Sequence, residues 1–177
     1  MRYLLIAAVV AAGMSAAIGA EKEHRHHGAH QHGVGKLNLV WEGKTVSIEM
    51  ENPADNVVGF EHAPRNETQK KAVQDAIATL KSADKVFGFT PQAQCRGHAT
   101  EVEAETPKSD GKEKGEEHSE FHAQYRFTCE KPELLKTVDV HLFKLFPKTR
   151  TLQTQVVSPK GQTSVQLKRG LTRITLP

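Results

Sequence analysis

Lys36-Leu37-Asn38-Leu39-Val40-Trp41-Glu42-Gly43-Lys44-Thr45-Val46-Ser47-Ile48-Glu49-Met50 is the stretch whose pattern decides the fold. Both halves alternate apolar and polar residues, the period of a strand with one buried face. Glu42-Gly43-Lys44 lies between them as a turn. The segment therefore predicts a β-hairpin, with Leu37, Leu39 and Trp41 facing inward beside Val46, Ile48 and Met50.

The same alternation returns downstream. It runs through Phe121, Ala123, Tyr125 and Phe127 to Cys129, and again through Val138, Val140 and Leu142. Three more short strands are predicted over Thr151 to Val157, Gln162 to Leu167 and Leu171 to Leu176, with Ser158-Pro159-Lys160-Gly161 turning the chain between the first two. Val86-Phe87-Gly88-Phe89 reads as a short strand or an anchoring loop, and Cys95 lies in another strand. Between the hairpin and these segments, Asn52-Pro53-Ala54-Asp55 breaks the second strand. Pro64 then biases Ala63 away from helical angles. Asn66 is placed as an N-cap with Gln69 to return the bond, and Ala72, Val73, Ala76, Ile77 and Leu80 share one face of a helix from Glu67 to Lys81. The expected class is α+β, a mainly antiparallel sheet or sandwich of about seven to nine strands with one amphipathic helix packed on it.

Upstream of the hairpin lies His24-Arg25-His26-His27-Gly28-Ala29-His30-Gln31-His32-Gly33, which holds five of the ten histidines. Neutral imidazole is a ligand for zinc, copper and nickel, so a tract this dense binds divalent metal near neutral pH. Histidine alone does not choose among those ions. The plainer alternative is a solvated polar tail. Residues 1–20 read as a secretory signal peptide: Arg2 is the positive end, Leu4 to Ala12 the apolar core, and Ala17, Gly19 or Ala20 the cleavage point, with Ala20 favoured. The apolar run is too short for a span of ~20 residues, so no membrane span is expected once the leader is removed. The domain plan is thus a leader at 1–20, a histidine-rich arm at 21–33 and one domain at 34–177. Within that domain, residues 106–117 contain Pro, Ser, Gly, Lys and Glu without a large apolar side chain and form an exposed charged loop.

With 177 residues and a formal charge of +3, the chain is one domain's length and nearly balanced. Its lysines are interspersed with glutamates, which argues against a nucleic-acid partner. Cys95 and Cys129 are the two cysteines. In an exported chain they are expected to form a disulfide, the competing reading being a pair of thiolate ligands.

Outside the arm, His62 stands beside Glu61 in Gly59-Phe60-Glu61-His62-Ala63-Pro64, where the acid can ligate an ion or orient the ring. His118 and His122 bracket the start of the Phe121 strand, and even spacing puts both on its polar face. His98 and His141 read as surface or paired histidines without a ligand role. There is no GxSxG, phosphate loop or HExxH, so no enzymatic activity is expected.

Several of these motifs occur together. They are His27-Gly28-Ala29-His30-Gln31-His32-Gly33 ahead of the hairpin, Gly59-Phe60-Glu61-His62-Ala63-Pro64 ahead of the helix, and His118 ahead of Phe121. Tyr125-Arg126-Phe127-Thr128-Cys129, Phe143 with Phe146-Pro147, and Gly161-Gln162 follow. Together they resemble the ZrgA family of bacterial periplasmic zinc-uptake proteins, over essentially the whole mature chain. The resemblance implies a Gram-negative periplasmic protein that binds Zn2+ and supports its import alongside a zinc ABC transporter's solute-binding component. Carried over by motif, His30 and His32 match the N-terminal element, Glu61 and His62 the turn, and His118 the position ahead of the aromatic strand. His24, His26 and His122 have no counterpart in those motifs. The middle loop departs from the family, being lysine and glutamate where many members carry His and Asp. The expected ordered site is His30, His32, His62 and His118 near one end of the sheet, with Glu61, while His24, His26 and His27 form a looser capture arm. Two other readings stand beside it: a copper or nickel buffer, and a partner-docking β domain with an incidental histidine tail.

Overall fold

A computed structural model describes residues 31–105 and 119–177. The leader, most of the arm (His24, His26, His27 and His30 included), the charged loop and His118 fall outside the described residues.

The hairpin forms as its pattern predicts. Strands β1 (Val34–Glu42) and β2 (Thr45–Pro53) pair antiparallel, with Leu37 opposite Met50, Leu39 opposite Ile48 and Trp41 opposite Val46. All six side chains are buried. The remaining elements follow in the order α1 (Ala54–Val57), α2 (Glu67–Lys81), α3 (Ala83–Val86), β3 (Phe87–Phe89), β4 (Cys95–Glu105) and β5 (Glu120–Cys129). The chain ends with β6 (Thr137–Val140), α4 (Leu142–Leu145), β7 (Thr151–Ser158), β8 (Gly161–Lys168) and β9 (Arg173–Thr175).

Six strands make one sheet in the order β4-β5-β2-β1-β7-β8, and three make a second in the order β3-β6-β9. Every pairing is antiparallel except that of β1 with β7, which is parallel. The inner face of the large sheet is apolar because its strands obey the two-residue period, and Phe121, Ala123, Tyr125 and Phe127 of β5 sit at its centre. Phe87 meets Tyr125 edge-on at 5.0 Å and Phe89 meets Phe127 at 4.5 Å, so the small sheet closes over that face. Gly97 of β4 lies opposite Phe127 and leaves room for its ring, which a Cβ at that position would overlap.

The expectation of a single helix requires correction. The amphipathic helix is present as α2, with the Asn66 side chain accepting from the Gln69 amide at 2.9 Å and Ala76 and Leu80 buried. Three further α-helices, α1, α3 and α4, are four residues each. One turn is too short to display a 3.6-residue period, so the sequence pattern does not announce them. α1 occupies the Asn-Pro-Ala-Asp break, where Pro53 is the residue before the first helical position.

Cys95 and Cys129 face each other across β4 and β5 and are disulfide-bonded. The bridge excludes them as thiolate ligands. β4 carries a bulge between Ala99 and Glu101. Before it, Cys95, Gly97 and Ala99 take the inner side. After it, Val102 and Ala104 do, and Glu101, Glu103 and Glu105 turn to the outer face. Among the described residues, no helix is long and apolar enough to cross a membrane.

Candidate metal centre

The root of the histidine arm is fixed by a buried polar chain. Thr149 Oγ1 accepts from Asn52 Nδ2 at 3.0 Å, Asn52 Oδ1 accepts from Asn56 Nδ2 at 2.7 Å, and Asn56 Oδ1 accepts from the Gly33 amide at 2.7 Å. Asn52, Asn56 and Thr149 are almost wholly buried, so their hydrogen bonds are obligatory rather than optional. Gly33 has φ +84°, which a side chain would resist, and its carbonyl accepts from the amides of Arg150 and Thr151. His32 therefore projects from a rigid point although the ring itself is exposed.

That ring lies between two carboxylates. Nδ1 is 3.5 Å from Asp55 Oδ2 and Nε2 is 3.8 Å from Glu61 Oε2. Lys148 Nζ holds the other Asp55 oxygen at 2.9 Å and reaches the Gly59 carbonyl at 3.5 Å, tying α1 to the Glu61 turn. The Lys148 hydrogen bond holds the Asp55 carboxyl below the usual carboxylate range, opposed by partial burial and helped by His32. Donors around one tetrahedral ion at ~2.0 Å sit about 3.3 Å apart, close to both separations. An ion uses one ring nitrogen, so one carboxylate ligates while the other orients the ring, the arrangement of a carboxylate–histidine–metal triad.

His62 has contacts of its own. Its ring stacks on Phe60 with centroids 5.1 Å apart, and Nδ1 lies 2.9 Å from the Ala63 carbonyl. A carbonyl only accepts, so Nδ1 carries the proton and, in the neutral ring, Nε2 keeps its lone pair for a metal. His62 shares with Glu105 and Ser119 a crevice of about 10 Å³, room for roughly one water or ion. Ser119 Oγ donates to the Glu61 carbonyl at 2.6 Å, and the Ser119 carbonyl accepts from the Ala54 amide at 2.8 Å. The structure thus brings together His32, Glu61 and Asp55 at one end of the large sheet and sets Ser119 against them. His30 and His118 are each within two residues of this cluster's members but lie outside the described residues, as do His24, His26 and His27.

A second group occupies the outer face of the large sheet. His122 Nε2 donates to Glu120 Oε1 at 2.6 Å and lies 3.8 Å from Glu105 Oε2. One ligand atom from each of the three falls within 4.8 Å of the others. Glu120 is 3% exposed and His122 9%, on the side of the strand opposite Phe121 and Tyr125. The Glu120 hydrogen bond raises the His122 pKa above its ordinary value, against burial, and the charges of Glu120, Glu105 and Glu51 add to it. A shallow depression of about 290 Å³ beside His122 is lined by Glu49, Glu51, Glu101 and Glu103.

His98 and His141 are exposed, as expected, and His141 Nδ1 donates to the Lys85 carbonyl at 3.1 Å. The sequence reading missed Asp55, Glu105 and Glu120. Asp55 was hidden in a segment read as a strand break. Glu105 and Glu120 flank the charged loop and looked solvated, although the alternation of Glu101, Glu103 and Glu105 is itself the mark of a polar sheet face.

The family described as ZrgA family zinc uptake protein matches residues 29–176. No curated protein matches the chain. With the match running from the histidine arm to the last strand, the chain belongs to the ZrgA family of zinc uptake proteins.

Proposed function

We propose that this protein is an exported, periplasmic zinc carrier that captures Zn2+ on its histidine arm and passes it to an import system, without enzymatic activity of its own. The observation that carries the reading is the position of His32. Its ring stands between Asp55 and Glu61 on a backbone pinned by Asn56. Zinc takes imidazole nitrogen and carboxylate oxygen together. His32 Nε2 and Glu61 supply one of each, and Asp55 orients the ring. His30, two residues before His32, and His118, next in sequence to the Ser119 that is bonded to Glu61, are the proposed ligands that complete the set. His62 is the further candidate, with Nε2 available. His24, His26 and His27 serve as a faster, looser collector.

Family membership supports zinc as the cargo. The cysteines are held in a disulfide, so the described cluster offers nitrogen and oxygen rather than the soft sulfur that selects monovalent copper. A site that keeps one position open to exchange suits transfer to a solute-binding component better than permanent storage.

Replacing His30 and His32 together with alanine should weaken zinc binding at least tenfold in a calorimetric titration of the mature chain. Unchanged affinity would remove this assignment. Competition among Zn, Cu and Ni at buffered free concentrations separates the zinc carrier from a copper or nickel buffer, allowing for the general preference of such ligands for copper.

A further inference from the structure

We infer that Glu105, Glu120 and His122 form a second divalent-cation site, built on the outer face of the large sheet and independent of the histidine arm. Register places Glu105 directly opposite Glu120 on neighbouring strands, an arrangement of like charges that disfavours the pair unless positive charge lies between them. His122, two residues along β5, is on the same face and supplies one such charge when protonated. One imidazole and two carboxylates make a donor set for first-row divalent ions, zinc included, with positions left for water.

The distances suit an ion in place of the proton. His122 Nε2 is 2.6 Å from one carboxylate and 3.8 Å from the other, which bracket the ~3.3 Å expected between ligands of a tetrahedral zinc. Binding then replaces the hydrogen between Nε2 and Glu120: the Nε2–H bond breaks, the proton leaves to solvent, and the nitrogen lone pair goes to the metal. Glu120 is held in the sheet with 3% exposure and Glu105 stands at its exposed rim. One ligand is therefore preorganised, and the other stands at the rim, beside the acidic depression from which the ion enters.

The β4 bulge is what makes the site possible. An unbroken alternation from Cys95 would have turned Glu105 into the core, whereas the shift after Ala99 sets it beside Glu120.

The test uses the mature chain with all five arm histidines (His24, His26, His27, His30 and His32) replaced by alanine, titrated with zinc chloride. Calorimetry and the ring nitrogen resonances of His122 are followed together. The expected result is one residual equivalent of zinc with a stoichiometric shift of the His122 ring signals. Adding Glu105→Gln or His122→Gln should then weaken that binding at least tenfold while the amide spectrum shows an intact fold. Glu105 lies at the rim, so its variant keeps the test open should a change at Glu120 prevent folding. Zinc binding that leaves the His122 ring unmoved, no residual binding, or an affinity in both added variants equal to that of the five-alanine chain would overturn the inference. The arm assignment fails separately, if the five arm substitutions leave binding unaltered in number and strength.

Discussion

Asn56 shows how a side chain that touches no metal can place one that does. Its amide joins Asn52 to the Gly33 backbone, and Asn56→Ala would leave a buried N–H and a buried carbonyl oxygen without their partners. Such a loss costs about 1–3 kcal/mol, to be read as a lower urea midpoint, and a change under about 0.5 kcal/mol would count against this role. His122 gives a pH-dependent counterpart. Its folded pKa lies above the ordinary value of 6.5, so its pairing with Glu120 contributes fully below the unfolded value and is lost as pH rises through the folded one. In metal-free protein, the stability gap between the native chain and His122→Gln should be widest near pH ~6 and shrink on going alkaline. A gap constant from pH ~6 to ~9 would refute the pairing. At this scale, His32 and Glu61 were legible through the longer motifs that hold them, Gly28-Ala29-His30-Gln31-His32-Gly33 and Gly59-Phe60-Glu61-His62-Ala63-Pro64. Asn52 and Asn56 were not, because a buried amide looks the same in sequence as one at a turn.

Among the elements, the hairpin and α2 could be read directly, since each shows its period over at least two repeats. The bulge in β4 could not. The residues from Cys95 to Glu105 include Gly97, Ala99 and Ala104, small side chains that say little about which face they take. Gly97 has its own reason to be small: the Phe127 ring occupies the space a side chain would need. Gly97→Ala should therefore cost about 1–3 kcal/mol by forcing that ring off its place, whereas the same change at Gly161, with open space around its Cβ direction, meets no such neighbour. Thermal unfolding of Gly97→Ala close to the native midpoint would show that the aromatic contact between the sheets yields more easily than its packing implies.

For the whole molecule, two links join parts far apart in the chain. The disulfide closes an excursion of 34 residues between β4 and β5. In the chain-entropy view such a closure is worth about 4 kcal/mol. Replacing both cysteines with serine should lower the unfolding free energy by ~2–4 kcal/mol, and a loss under about 1 kcal/mol would mean that β4 holds its place without the bridge. The cysteine pairing was legible from an even count in a chain expected to be exported. The parallel pairing of β1 with β7 was not, because alternating strands disclose their faces and never their neighbours.

That parallel pairing fixes an order of events. Val34 is hydrogen-bonded beside Thr151, and the carbonyl at Gly33 waits for the amides of Arg150 and Thr151. A polypeptide that emerges amino end first thus displays His32 long before the socket meant to steady it exists. Early zinc would meet a loose coil, and only the arrival of the last quarter of the chain would convert that loose hold into a seated one.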